Sequence, residues 1–154
     1  MTDDRSLEVN DAAPTSISHI VGQRSVVDQV SVALDAAFTD GRPMDSALLV
    51  GPPGCGKTLI AHVVAQEMAS HFHEILGQTL NNLAELNAVL LQAKHRDVVF
   101  IDEAHEIPKQ LQTALYLAID QSKILFSSGK GGTPSAIPIP QFTLLLATTD
   151  EWGR

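Results

Sequence analysis

Ala47-Leu48-Leu49-Val50-Gly51-Pro52-Pro53-Gly54-Cys55-Gly56-Lys57-Thr58 is the stretch on which the fold turns. A short apolar run ends in a loop with glycine at 51, 54 and 56, and a lysine and a threonine then open a helical pattern. The loop matches G-x-x-x-x-G-K-[ST], in the strand-before, helix-after setting that the pattern requires. Glycine lets the backbone wrap closely enough for successive N–H groups to reach phosphate oxygens. The N-terminus of the following helix adds a favourable positive end. A glycine-rich turn with no ligand is the plainer alternative, and the flanking strand and helix argue against it.

Outward from this loop, apolar runs alternate with helical repeats. Upstream, Val27, Val30, Leu34, Ala37 and Phe38 recur at helical spacing from Arg24 to about Thr39 and predict a core-facing stripe. Asp40-Gly41-Arg42-Pro43 stops that helix. Ala47–Val50 reads as a strand buried on both faces. Downstream, a helix is predicted from Thr58 to about Ser70, a strand over Phe72–Leu76 and a helix over Asn82–Lys94. Val98-Val99-Phe100-Ile101 is typical of a central parallel strand. Pro108 suits a helix start, with Leu111, Leu115 and Ile119 following on one face. Ile124–Phe126 and Ile137–Ile139 flank Gly129-Lys130-Gly131-Gly132 and predict a hairpin. Phe142–Ala147 is a last apolar strand that runs into Thr148-Thr149. The alternation defines an α/β class with a mainly parallel sheet.

The Val98–Ile101 run delivers two adjacent carboxylates, Asp102 and Glu103. Together with the glycine loop, an acidic pair at a strand end is far more specific than either motif alone. Lys57 is placed to reach the β- and γ-phosphates of a nucleotide, while Thr58 and Asp102 would hold Mg²⁺. Glu103 would polarise the attacking water.

Composition bounds what else is possible. The chain has 154 residues, room for one domain. Hydrophobic residues make up 44% and charged residues 18%, which excludes intrinsic disorder. No apolar run nears the roughly 20 residues of a membrane span, and the polar start predicts a cytoplasmic rather than secreted protein with no membrane partner. A single cysteine, Cys55, fits a reducing compartment. Ten basic and 18 acidic residues give a net charge of −8. Such a chain is a poor nonspecific DNA binder, so DNA contact by it alone is expected to be weak or absent. Residues 1–18 read as a flexible polar leader and 19–154 as one domain.

These motifs resemble the AAA+ family of ATPases and, within it, motors of the RuvB type, which drive Holliday-junction branch migration. The resemblance runs from about residue 18 to the end. Ile20-Val21-Gly22-Gln23 resembles the segment that packs near the adenine, and Ala114-Leu115-Tyr116 with Ile119-Asp120 resembles the helix after the acidic pair. Gly129–Ala136 and Pro140-Gln141-Phe142 resemble the hairpin that meets the junction-binding protein RuvA. Ala147-Thr148-Thr149 resembles sensor 1. The resemblance implies a P-loop NTPase fold, a three-layer sandwich with a hairpin insertion, using ATP and Mg²⁺. It implies nucleotide contacts from Ile20, Val21, Gly51, Pro52, Pro53, Gly54, Cys55, Gly56, Lys57, Thr58 and Asp102. Catalytic roles fall to Lys57, Glu103 and Thr149, the last beside the γ-phosphate. Implied partners are a RuvA-like protein at the hairpin around Ile124–Ile139, like subunits in a hexameric ring, and DNA in the full machine.

The departures carry consequences. Asp150 stands where the family usually has a basic residue, and Glu106 where RuvB-type proteins commonly have arginine. The chain is expected to end before the arginine finger, the last sheet strand, the helical lid and the winged-helix domain; Arg154 is given no finger role. A trans arginine can be worth about 10³–10⁵ in rate, so nucleotide binding with little turnover is expected. Without the last strand, Ala47–Val50 is expected to form an exposed apolar edge. Two other outputs fit the same nucleotide site: a non-catalytic homologue that docks RuvA or motor subunits, and a clamp-loader-like remodeller.

Other residues have plainer readings. Cys55 is expected as a small filler, and His62, His71 and His73 as solvated surface histidines rather than a zinc site. His105 either tunes Glu103 or serves structure at the strand end. Ile124, Phe126, Ile137 and Ile139 are expected to be exposed on the hairpin as a partner surface.

Overall fold

The computed structural model describes residues 24–126, 131, 133 and 135–149. In chain order the elements are α1 (Arg24–Asp40), β1 (Ala47–Val50), α2 (Lys57–Glu67), β2 (Phe72–Leu76), α3 (Leu83–Gln92), β3 (Val98–Asp102), α4 (Lys109–Gln121), β4 (Lys123–Phe126), β5 (Ser135–Pro138) and β6 (Thr143–Thr148). Single 3₁₀ turns follow β2 at Gly77–Thr79 and β3 at Ala104–Glu106. The leader over residues 1–18, the Ile20–Val21 segment, most of the hairpin tip, Asp150 and Arg154 lie outside the described residues.

Four parallel strands make one sheet in the order β1-β6-β3-β2, and β4 pairs antiparallel with β5 as the separate hairpin. The pleat divides the apolar residues of the two central strands between two cores. Val98, Phe100, Leu145 and Ala147 pack beneath α1 and α2 with Leu34, Val63 and Val64. Val99, Ile101, Leu144 and Leu146 face α3, α4 and the hairpin, against Leu86, Leu90, Leu111 and Leu115. The result is three layers, with β6 buried along its whole length and β3 buried up to Ile101. Each large side chain enclosed this way contributes roughly 1.5–3 kcal/mol.

Local chemistry sets the boundaries. Asn82 caps α3 by accepting the Glu85 N–H at 2.9 Å, and the Glu85 carboxylate reaches back to accept the Asn81 N–H at 2.8 Å. α1 stops at Gly41, which takes φ +63°. α2 stops at Glu67, short of Ser70, because Ala69 turns to φ +49°.

Three expectations are corrected. Phe38 is exposed, because Val30, Leu34 and Ala37 take the inward positions and the helical period then carries residue 38 to solvent. β1 is not buried on both faces: Leu49 packs under α1 and α2, whereas Leu48 and Val50 are 41% and 49% exposed. Among the described residues β1 has a neighbour, β6, on one side only, and Leu48 shares only a shallow hollow with Tyr116 and Ile119 at the margin of α4. The hairpin is only half exposed. Ile124 and Ile139 belong to the core with Leu86 and Leu115, while Phe126 and Ile137 remain 50% and 43% exposed. Ile124 and Phe126 share one face of β4: Ile124 sits within the core, whereas Phe126, at the strand's end, borders a hollow with Leu83, Asn87 and Leu91 and stays half-exposed.

At the amino ends of the strands, polar groups turn inward and are paired. The Thr143 hydroxyl donates to the Met44 carbonyl at 2.8 Å, and Ser46 Oγ accepts the Leu144 N–H at 2.9 Å. Asp97 is buried and accepts the Lys94 N–H at 3.0 Å, with His73 Nε2 at 2.9 Å. Burial alone would raise the Asp97 pKa, but the Lys94 N–H and then His73 outweigh it and hold the carboxyl below its ordinary range. His73 is therefore an anchored residue rather than a solvated one. His62 stacks on Phe72 at 4.1 Å, on another face, so the histidines near 62–73 do not converge.

Candidate nucleotide site

The site lies at the carboxyl ends of the parallel strands, where ligands of open α/β sheets bind. The loop from Gly51 leaves β1 and turns into α2 at Gly56, the residue that caps this helix in a left-handed conformation, φ +91°. Gly54 is also left-handed, φ +78°. Residues with a Cβ adopt these angles at a cost, which is why glycine occupies both turns of the loop. Lys57 bends back over the loop, and its ammonium donates to the carbonyls of Gly51 and of Pro52, the latter at 3.2 Å. Cys55 is half-buried, and its Sγ lies 2.7 Å from where a Cβ on Gly51 would stand. The thiol thus fills the space over that glycine.

A cavity of about 390 Å³ is lined by Pro53, Gly54, Cys55, Gly56, Lys57, Thr58, Leu59, Asp102 and Glu103. The fold therefore brings the glycine loop and the acidic pair to one wall although β6 separates their strands. Thr58 and Asp102 offer a hydroxyl and a carboxylate, the oxygen donors a hard divalent cation prefers. Asp102 Oδ1 also accepts the Glu103 N–H at 2.9 Å. This bond accompanies a sharp turn: Glu103 has φ +52°, a strained angle for a residue with a side chain. Thr149 does not line the cavity. It is half-buried just past β6, beside the start of the loop, where the Gly51 N–H donates to the Thr148 carbonyl at 3.2 Å.

Two further residues shape the site and are not among the predicted site residues. A Cβ on Gly77 would collide with the Glu103 carbonyl and stand 3.2 Å from that of Asp102, so only glycine fits there without displacing the acidic turn. Register makes this contact: Leu76 pairs with Asp102, which puts the next residue of each strand side by side. The signal in the sequence is a glycine directly after a predicted strand. The other residue is Thr148, buried and 2.8 Å from His105 Nδ1. A larger groove, about 430 Å³, runs along β1 past Val26, Val30, Met44 and Ile60 to Cys55 and Lys57.

A phosphate loop that opens a helix at the carboxyl end of a parallel sheet, faced by two strand-end carboxylates, defines a P-loop nucleotide-binding domain. Residues 12–152 match the family model described as the Holliday junction DNA helicase RuvB P-loop domain, and the chain belongs to that family. The RuvB subunit of the Holliday junction branch migration complex from Thermotoga maritima is 41% identical over 140 residues, covering 88% of this chain and 41% of the relative. The corresponding subunit from Ehrlichia canis is 36% identical over 138 residues, covering 88% and 42%. The solved Thermotoga maritima RuvB Holliday junction branch migration motor superposes with a TM-score of 0.74 at 36% identity, over 90% of this chain and 42% of that one. A point mutant of the same protein gives 0.77 at 37% identity, covering 89% and 42%. The chain spans about two-fifths of the length of these relatives.

Proposed function

We propose that this chain is the ATP-binding and hydrolysing part of a RuvB-type branch-migration motor. The observation that carries the reading is the single cavity shared by the glycine loop, Thr58, Asp102 and Glu103. In this reading residues 19–154 form the large ATPase subdomain. The loop N–H groups and the start of α2 receive the phosphates, and Lys57 exchanges its carbonyl partners for phosphate oxygens. Thr58 and Asp102 hold Mg²⁺, which neutralises phosphate charge when bound. Glu103 accepts a proton from, and orients, the water that attacks the γ-phosphate. Thr149, next to the loop, senses that phosphate, and Ile20 and Val21 pack near the adenine. The motor works in the cytoplasm, as a hexameric ring of such subunits that moves DNA past a RuvA-bound junction.

The exposed side of the hairpin supports the partner assignment. Phe126 and Ile137 lie on adjacent antiparallel strands and present apolar surface, with Leu91 of α3 also exposed. Exposed apolar clusters of this kind mark partner surfaces. A RuvA-like protein is the proposed occupant. A homologue that only docks such partners is the second reading, favoured by the same exposed pair.

Calorimetry with Mg-ATP, with phosphate release followed in the same samples, tests the first reading. Binding that depends on Lys57, with slow release abolished in Glu103→Gln, is expected. No binding at millimolar nucleotide would overturn it. Ile137→Asp should abolish capture by a RuvA-like protein while Glu103→Gln leaves it intact. Capture of a sliding clamp instead would favour a clamp-loader-like output.

A further inference from the structure

The side chain of His105 touches three residues, Thr148, Glu103 and Glu106, and joins two strand ends that no motif connects. Its Nδ1 lies 2.8 Å from Thr148 Oγ1, and its Nε2 lies 3.2 Å from Glu103 Oε2 and 3.7 Å from Glu106 Oε1. The ring is held at the 3₁₀ turn after β3, three-quarters shielded from solvent, and Thr148 is fully buried in β6. We propose that His105 is a positioning residue that sets the Glu103 carboxylate by bridging it to Thr148. The inference rests on the hydrolytic reading of Glu103 given above.

The chemistry of the ring supports the bridge. A neutral imidazole carries one N–H, and two carboxylates beside Nε2 favour the proton there. Nδ1 then has a lone pair, and the Thr148 hydroxyl donates to it. Each contact thus fixes the other: the threonine holds the tautomer and the ring plane, and the ring holds the carboxylate. Second partners of this kind commonly decide which histidine nitrogen carries the proton. The backbone beneath is fixed independently, since Gly77 packs against the Glu103 carbonyl. Glu103 is consequently clamped on two sides, its main chain by the turn after β2 and its side chain, through His105, by β6. The strand that supplies Thr148 also leads into Thr149, so the water-orienting carboxylate and the proposed phosphate sensor share one mount.

Nitrogen-15 and carbon-13 NMR of the full chain, at pH 8 and without nucleotide, tests the bridge directly. The expected result is an Nε2–H ring for His105 in the wild type. Thr148→Val should move the His105 Nδ1 resonance and, through the ring, the Glu103 side-chain carboxyl resonance; His105→Gln, which keeps Thr148 unchanged, should move the latter as well. An Nδ1–H ring, or a Glu103 carboxyl indifferent to both substitutions, would overturn the proposal. Single-turnover hydrolysis supplies the second readout. His105→Ala should slow the chemical step about tenfold or more while the Mg-ATP dissociation constant changes less than about twofold. Equal losses in rate and affinity would contradict a positioning role. A wild-type chain that binds no nucleotide would refute the hydrolytic reading, and the ring measurement would still decide the bridge.

Discussion

The two ends of the parallel sheet differ in how their polar groups are satisfied. At the amino ends, Asp97, Thr143 and Ser46 are drawn inward and paired with backbone groups or with His73, and this end closes on itself. At the carboxyl ends, Gly54 and Gly56 take left-handed angles, Glu103 is strained at φ +52°, and charged groups line an open cavity. Polar groups that satisfy one another stabilise the fold. Polar groups held in strained, outward positions cost stability and leave donors and acceptors available for a ligand. The same four strands thus separate what keeps the sheet together from what it can do.

That separation can be broken from either end. Lys57→Ala is expected to weaken Mg-ATP binding about tenfold to hundredfold, the worth of a hydrogen bond to a charged group, with little change in the unfolding midpoint. Asp97→Asn should do the reverse, costing about 2 kcal/mol of stability while leaving nucleotide affinity unchanged. Its pH dependence has a definite sign. The native Asp97 carboxyl sits below its ordinary 3.8, so its stabilisation is complete above that value and disappears as pH falls through the lower native pKa. Urea midpoints of wild type and variant should differ near neutral pH and converge in strong acid, as Asp97 is protonated.

Gly77→Ala sharpens the comparison, because one methyl group at the carboxyl end should affect both properties. Overpacking against the Glu103 carbonyl is expected to cost about 1 kcal/mol and to slow hydrolysis more than it weakens ATP binding. The smallest effect belongs to the sheet edge. Leu48→Ser should change stability by less than about 0.5 kcal/mol, since Leu48 is 41% exposed. It should nevertheless reduce self-association measured by light scattering, because an apolar edge without a neighbouring strand among the described residues invites pairing. A strictly monomeric wild type would remove that expectation.

Legibility in the sequence followed how local each cause is. The glycine loop, the Asp102–Glu103 pair and the hairpin are written in neighbouring residues, and the described fold places loop and pair around one cavity. Ala47–Val50 and Val98–Ile101 look alike as apolar runs, yet β3 is enclosed and β1 half-exposed, because burial depends on how many neighbours a strand acquires. Gly77 is marked only as a glycine after a predicted strand and Thr148 only as part of the Ala147–Thr149 segment; their contacts with the acidic turn arise because β2 and β6 flank β3. Ile124 and Phe126 differ for the same reason, one lying over the core and the other beyond it.

The most direct test of this division is a map of backbone amide shifts during titration of the chain with Mg-ATP. The account predicts changes at Gly51–Thr58, Asp102–His105 and Thr148–Thr149, with Phe72–His73 and Lys94–Val98 unmoved. Changes centred on the amino ends of the strands, or none at the loop with nucleotide in excess, would contradict it.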